Sequence, residues 1–60
     1  MRYRNVVRID KARLLLADRS LTVDDVAERV GFDDSKYFAR VFKDLAGMPP
    51  SAYRRANVAD

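Results

Sequence analysis

An all-α fold is predicted by three observations. Apolar residues recur at three- and four-residue spacing in separate stretches of the chain. The glycines and prolines fall between those stretches, with Gly31 in one turn and Gly47, Pro49 and Pro50 in another. No segment reads as a credible strand. At 60 residues the chain makes at most one small domain, which buries only ~60% of the surface its unfolded form exposes and should be stable by a few kcal/mol.

The first helix is expected over residues 3–17. Ile9, Ala12, Leu15 and Leu16 share one face with Asn5 and Arg8. A second, narrower apolar stripe lies on the far side: Tyr3, Val7 and Leu14, flanked by Val6. A helix in so small a domain needs only one buried face. The stripe is therefore either a surface awaiting a partner or a scatter of apolar residues that a protein surface tolerates.

The second helix has the best-marked ends. Thr22 and Asp25 resemble a capping box, and Leu21 before the cap can pack on Val26 as a hydrophobic staple. Val23, Val26, Ala27 and Val30 fall at i, i+3, i+4 and i+7. Gly31 supplies the left-handed conformation that commonly ends a helix, and Phe32 can pack back on the last turn. Asp33 or Asp34 can cap the third helix, expected over residues 35–46 and ended by Gly47. Its apolar positions are Phe38, Val41, Phe42 and Leu45. Pro49 and Pro50 can open a short fourth helix without losing a hydrogen bond it needs, with Tyr53 on the inner side. Residues 57–60 are expected to fray.

Composition removes several classes of function. No apolar run approaches the ~18 residues that span a bilayer, and the start Met1-Arg2-Tyr3-Arg4 lacks the apolar region of a signal peptide. The hydrophobic fraction of 48% argues against disorder. With no cysteine there is neither a disulfide nor a thiolate metal site, and a reducing, cytoplasmic setting fits. With no histidine either, the two commonest acid–base and nucleophilic side chains are missing. The adjacent pairs Asp24–Asp25 and Asp33–Asp34 point about 100° apart on a helix, so neither pair converges on one proton or metal. Their places at helix N-termini satisfy the helix dipole instead. Two glycines sixteen residues apart make no phosphate loop. Neither catalysis, cofactor nor metal is expected.

The net charge is a modest +3, but its distribution is uneven. Seven of the twelve cations (Arg2, Arg4, Arg8, Lys11, Arg13, Arg54 and Arg55) sit near the two ends of the chain. Residues 20–34 hold Arg29 against Asp24, Asp25, Glu28, Asp33 and Asp34. The second helix is thus acidic, and the third carries Lys36, Arg40 and Lys43 opposite its apolar stripe, within about 60° of one another. Such polarity suits a module that approaches a polyanion in one orientation. Three outward cations on a helix held by its inner face can reach the DNA major groove, although a merely solvated face would carry the same residues. Arg40 can grip guanine O6 and N7, Ala39 can touch a thymine methyl, and Ser35 lies in the first turn, where such helices reach bases.

Arg8-Ile9 with Ala12 and Leu15-Leu16, then Val26-Ala27, Val30-Gly31-Phe32, Tyr37-Phe38, Arg40-Val41-Phe42-Lys43, Gly47, Pro50 and Tyr53-Arg54 together resemble the DNA-binding domain of the AraC/XylS family of bacterial transcription regulators. The likeness covers residues 3–55. The family domain is about twice as long and holds two helix-turn-helix subdomains joined by a linker helix. The resemblance implies a linker helix at 1–19, a second helix-turn-helix subdomain at 20–56 with a homeodomain-like three-helix core plus a short C-terminal helix, and a tail at 57–60. By the same resemblance Ser35, Lys36, Ala39 and Arg40 would contact bases, while Thr22 and Lys43 would contact phosphate. Phe32, Phe38, Phe42 and Tyr53 would be core. The implied partners are double-stranded DNA, a preceding first subdomain that Tyr3, Val7 and Leu14 would face, and RNA polymerase. The competing expectations are a helical interaction or dimerisation module that uses the Tyr3–Val7–Leu14 face, and a truncated fragment with little activity alone.

Overall fold

The computed structural model describes the backbone of residues 2–57 and the side chains of residues 4–56. The described chain forms four helices, α1 (Arg2–Leu15), α2 (Val23–Arg29), α3 (Ser35–Ala46) and α4 (Pro50–Asn57), with no strand among the described residues. α1 packs across both α2 and α3, and α4 closes against α3. No helix among the described residues is long and apolar enough to cross a membrane.

The ends of α2 and α3 follow from local chemistry. The Thr22 hydroxyl accepts the Asp25 N–H at 3.0 Å while the Asp25 carboxylate accepts the Thr22 N–H at 3.0 Å, so the expected capping box forms. At the far end of α2 the Phe32 N–H reaches back to the Ala27 carbonyl and the Gly31 N–H to the Glu28 carbonyl. That pair of bonds is the Schellman closure, and it needs the left-handed residue between them. Gly31 supplies it with φ 97°. Of the two candidate caps for α3 it is Asp34 that serves, its carboxylate accepting the Lys36 N–H at 2.9 Å. Gly47, also left-handed, ends that helix.

α1 stops at Leu15, two residues before the expected end. Ala17 and Asp18 donate to the carbonyls of Leu14 and Leu15, a three-residue spacing that tightens the last turn out of α geometry. The Asp18 carboxylate then accepts both the N–H and the hydroxyl of Ser20, and the chain turns towards α2. These two bonds hold the Asp18 carboxyl below its ordinary value. Of the tail expected from residue 57, Asn57 is the last residue of α4 and the remainder lies outside the described residues.

The core sits where the helices cross. Ile9, Ala12 and Leu16 from α1 meet Val26, Ala27 and Val30, with Phe32 from the turn and Phe38, Val41 and Phe42 from α3. Leu15, Leu21, Val23, Leu45, Ala46 and Tyr53 pack on its margins. The aromatic rings run as a chain from turn to C-terminal helix: Phe32 to Phe38 at 5.3 Å, Phe38 to Phe42 at 5.8 Å and Phe42 to Tyr53 at 5.3 Å, the last edge to face. Centroid spacings in this range are the favoured ones for aromatic pairs. The apolar face of α3 is thus fully committed inward, which fixes the opposite face outward. Val7 and Leu14 are exposed on α1, Leu14 at 77%, together with Val6. The Tyr3 side chain, the third of that stripe, lies outside the described residues.

Candidate nucleic-acid interface

The outward face of α3 carries Lys36, Arg40 and Lys43, all exposed. None of the three side chains makes a hydrogen bond or ion pair among the described residues. The helix beneath them is held at both ends by Asp34 and Gly47 and along its length by Phe38, Val41 and Phe42. The cations are therefore exposed tips on a helix supported from beneath, open to an anionic partner.

Lys36 and Arg40 line one concavity of about 320 Å³ with Tyr37 and Asp34. Ala39 is half-buried beside them. Ser35 goes elsewhere: it lines a separate depression with Asp24, Glu28, Asp33, Ala27 and Phe32, on the acidic side of the molecule. Thr22 is exposed but engaged: its N–H donates to the Asp25 carboxylate, its hydroxyl accepts the Asp25 N–H, and hydrogen bonding by Thr22 holds that carboxyl below its ordinary value. Of the six contact residues the sequence suggests, the structure brings Lys36, Ala39, Arg40 and Lys43 onto one helix face and leaves Ser35 and Thr22 apart from it.

Several cations grouped with the polyanion-directed charge prove to be structural. The Arg8 guanidinium lies 5.3 Å from the centre of the Phe32 ring. A Cβ placed on Gly31 would meet it at 3.5 Å, so α1 packs on the turn between α2 and α3. Arg13 donates to the Leu45 carbonyl at 3.4 Å, and its buried Nε has no partner among the described residues. Arg54 is the most committed of the three. Its Nε donates to the Leu16 carbonyl at 3.0 Å, and one terminal nitrogen reaches the carbonyls of Asp18 at 3.2 Å and of Leu21. The guanidinium fork thereby ties α4 to the connection between α1 and α2. In the sequence, the only signal of this role was that Arg54 follows the inward-facing Tyr53 near the end of a helix.

A capped helix, a glycine turn and a second helix whose polar face is cationic define a DNA-binding helix-turn-helix domain. A family described as a helix-turn-helix domain matches residues 1–56, and the chain belongs to this AraC-type family. It is 44% identical over 52 residues to the arabinose operon regulatory protein of Salmonella typhimurium (strain LT2), covering 87% of this chain and 18% of that protein. It is 47% identical over 47 residues to the uncharacterized HTH-type transcriptional regulator YpdC of Escherichia coli (strain K12), covering 78% and 16%. To the HTH-type transcriptional activator RhaR of Yersinia pseudotuberculosis serotype O:1b it is 42% identical over 53 residues, covering 88% and 18%. The chain thus spans less than a fifth of the length of these curated relatives. No solved structure matches it at a significant level.

Proposed function

We propose that this chain binds double-stranded DNA in a sequence-dependent way as part of a transcription regulator, with α3 in the major groove. The observation that carries the reading is the unpaired line of Lys36, Arg40 and Lys43 on a helix whose opposite face is locked into the core. Arg40, with Lys36 and Ala39, reads base edges, while Lys43, a turn further along, neutralises phosphate. Ser35 reaches a base only at the edge of the acidic depression it lines. Thr22 contacts phosphate only by releasing Asp25. The module binds rather than catalyses, requires no cofactor, and works in the cytoplasm, where the DNA is.

The relatives' names include operon regulation and transcriptional activation, and their greater length leaves room for further parts. In this reading the exposed Val6, Val7 and Leu14 face of α1 meets a preceding helix-turn-helix subdomain, and RNA polymerase is a partner of the assembled regulator. One subdomain alone should bind a duplex at roughly the 10⁻⁴–10⁻⁶ M typical of non-specific association.

Fluorescence anisotropy over a salt series tests this. Log affinity should fall with log salt at a slope of about −0.9 for each phosphate neutralised. Arg40→Ala should cost ~1–3 kcal/mol on the preferred duplex and flatten the preference among duplexes. Lys43→Ala should weaken all duplexes alike and reduce the slope by about one contact. An isotherm unchanged by salt would reject the nucleic-acid reading and favour an apolar interface on α1.

A further inference from the structure

We propose that Tyr37 is a further DNA contact, its phenolic hydroxyl donating a hydrogen bond to a backbone phosphate at the flank of the cationic face. The inference rests on α3 being the DNA-facing helix and adds a residue of a different chemical kind to it.

Tyr37 is 51% exposed, the one exposed large aromatic among the described residues. A surface tyrosine needs no explanation by itself, but this one is braced. Its ring lies 5.7 Å from that of Phe32, at 53°. Phe32 is itself buried, tilted against Phe38 and overlaid by the Arg8 guanidinium. The inner edge of the Tyr37 ring therefore rests on Phe32, which Phe38 and Arg8 hold in turn, and its outer edge is exposed. The hydroxyl on that outer edge has no hydrogen-bond partner among the described residues. A side chain with two torsions, already held along one edge, loses little entropy on binding.

The position selects phosphate over base. At about 100° per residue Tyr37 lies roughly 100° round the helix from Lys36 and 60° from Arg40. A helix about 10–12 Å across nearly fills a major groove ~12 Å wide, so residues at that angle meet the groove wall, which is sugar and phosphate, and not the base edges on its floor. Tyr37 and Arg40 also form the wall shared by two concavities, one closed by Lys36 and Asp34, the other by Asn5 and Asp44. On the Lys36 side an anionic oxygen would sit between two cations with the phenol as a third donor. On the opposite flank, about 100° the other way from Lys36, stands Ser35, which lines the acidic depression with Asp24, Glu28 and Asp33.

The uncharged donor gives the proposal its distinguishing signature. Counterion release counts the charges a protein brings to DNA, so a neutral hydrogen bond adds affinity without adding to the salt slope. Sequence-independent contact also leaves the ranking of duplexes unchanged.

The test compares the wild-type chain with Tyr37→Phe, which keeps the ring on Phe32 and removes only the hydroxyl. The probes are two fluorescein-labelled duplexes, one selected for tightest binding from a random pool and one of unrelated sequence, titrated over a salt series. The expected result is binding about 3- to 10-fold weaker on both duplexes. The salt slope and the melting temperature should be unchanged. Lys43→Ala, by contrast, should lower affinity and slope together. Equal affinities of wild type and Tyr37→Phe overturn the proposal, and so does a loss confined to one duplex, which would make Tyr37 a base reader. If the wild type shows no salt-dependent binding to either duplex, the reading of α3 as the DNA-facing helix fails first and this contact falls with it.

Discussion

Arg54 should contribute a large share of the stability of this domain, and the structure allows the share to be worked out. Its guanidinium serves three main-chain carbonyls, Leu16, Asp18 and Leu21, that end α1 and lead into α2. Hydrogen bonds from a charged donor contribute about 1.5–3 kcal/mol each when well buried, and about 0.5–1.5 when water can substitute. Arg54 is half-buried and the Asp18 bond is exposed, so about 1 kcal/mol per bond, or about 3 in all, is the appropriate scale. A 60-residue chain is stable by only ~3–9 kcal/mol. For a domain of this size each kcal/mol moves the melting temperature by about 8 °C. Arg54→Met, which keeps the aliphatic stem and removes the donors, should therefore lower the melting temperature by roughly 24 °C. Arg54→Lys should fall in between, since a single ammonium cannot span the three carbonyls as a planar fork does. Circular dichroism melts at fixed pH and salt measure this directly. A drop of less than about 5 °C for Arg54→Met would mean that water satisfies those carbonyls equally well, and that α4 is held by its apolar contacts, the buried Pro50 and Tyr53 among them.

Other substitutions test other parts of the structure. Phe42→Ala removes the ring that links Phe38 to Tyr53; at ~3–5 kcal/mol it should lower the melting temperature by roughly 24–40 °C in the same circular dichroism assay. Gly31→Ala should cost about 1–2 kcal/mol in denaturant titration, all of it from forcing a Cβ into left-handed backbone, because the added methyl would make only ordinary contact with Arg8. The Thr22–Asp25 box should be pH-dependent. The Asp25 carboxyl is held below its ordinary value of 3.8 by the Thr22 N–H and hydroxyl, so its contribution is fully present above that value and is lost as the pH falls through the lower folded-state value. Wild type should accordingly exceed Asp25→Ala, which removes the titrating carboxylate, in melting temperature by a constant margin near neutrality, and the margin should shrink below about pH 4.

What was legible in the sequence is what local chemistry decides. Thr22 with Asp25, and Gly31 with Phe32, each make their hydrogen bonds within a few residues, so the bounds of α2 could be read before any packing was known. The end of α1 could not. Leu15, Leu16 and Ala17 are all acceptable in a helix, and nothing among them breaks it. The stop depends on Asp18 turning onto Ser20 and on Arg54, nearly forty residues away, taking the carbonyls that the helix leaves open. The site divides in the same way. The line of Lys36, Arg40 and Lys43 follows from helical period alone. The bracing of Tyr37 by Phe32, and of Phe32 by Arg8, joins residues from three elements and leaves no periodic trace.

The arginines carry the broader lesson about charge in so small a domain. Counted along the chain, Arg8, Arg13 and Arg54 belong to an excess of positive charge that points towards a polyanion. In space all three turn towards the protein: one covers a ring, one reaches a helix C-terminus and one closes a loop. A sixty-residue chain has too little apolar surface to cover every joint between helices, and a long side chain with an aliphatic stem and a planar donor fork can cover what the core does not. The cations left exposed on α3 are those whose neighbours on the helix are already spent inward. Lys36, Arg40 and Lys43 are free because Phe38, Val41 and Phe42 are not, and the same packing that stabilises the fold is what aims the charge.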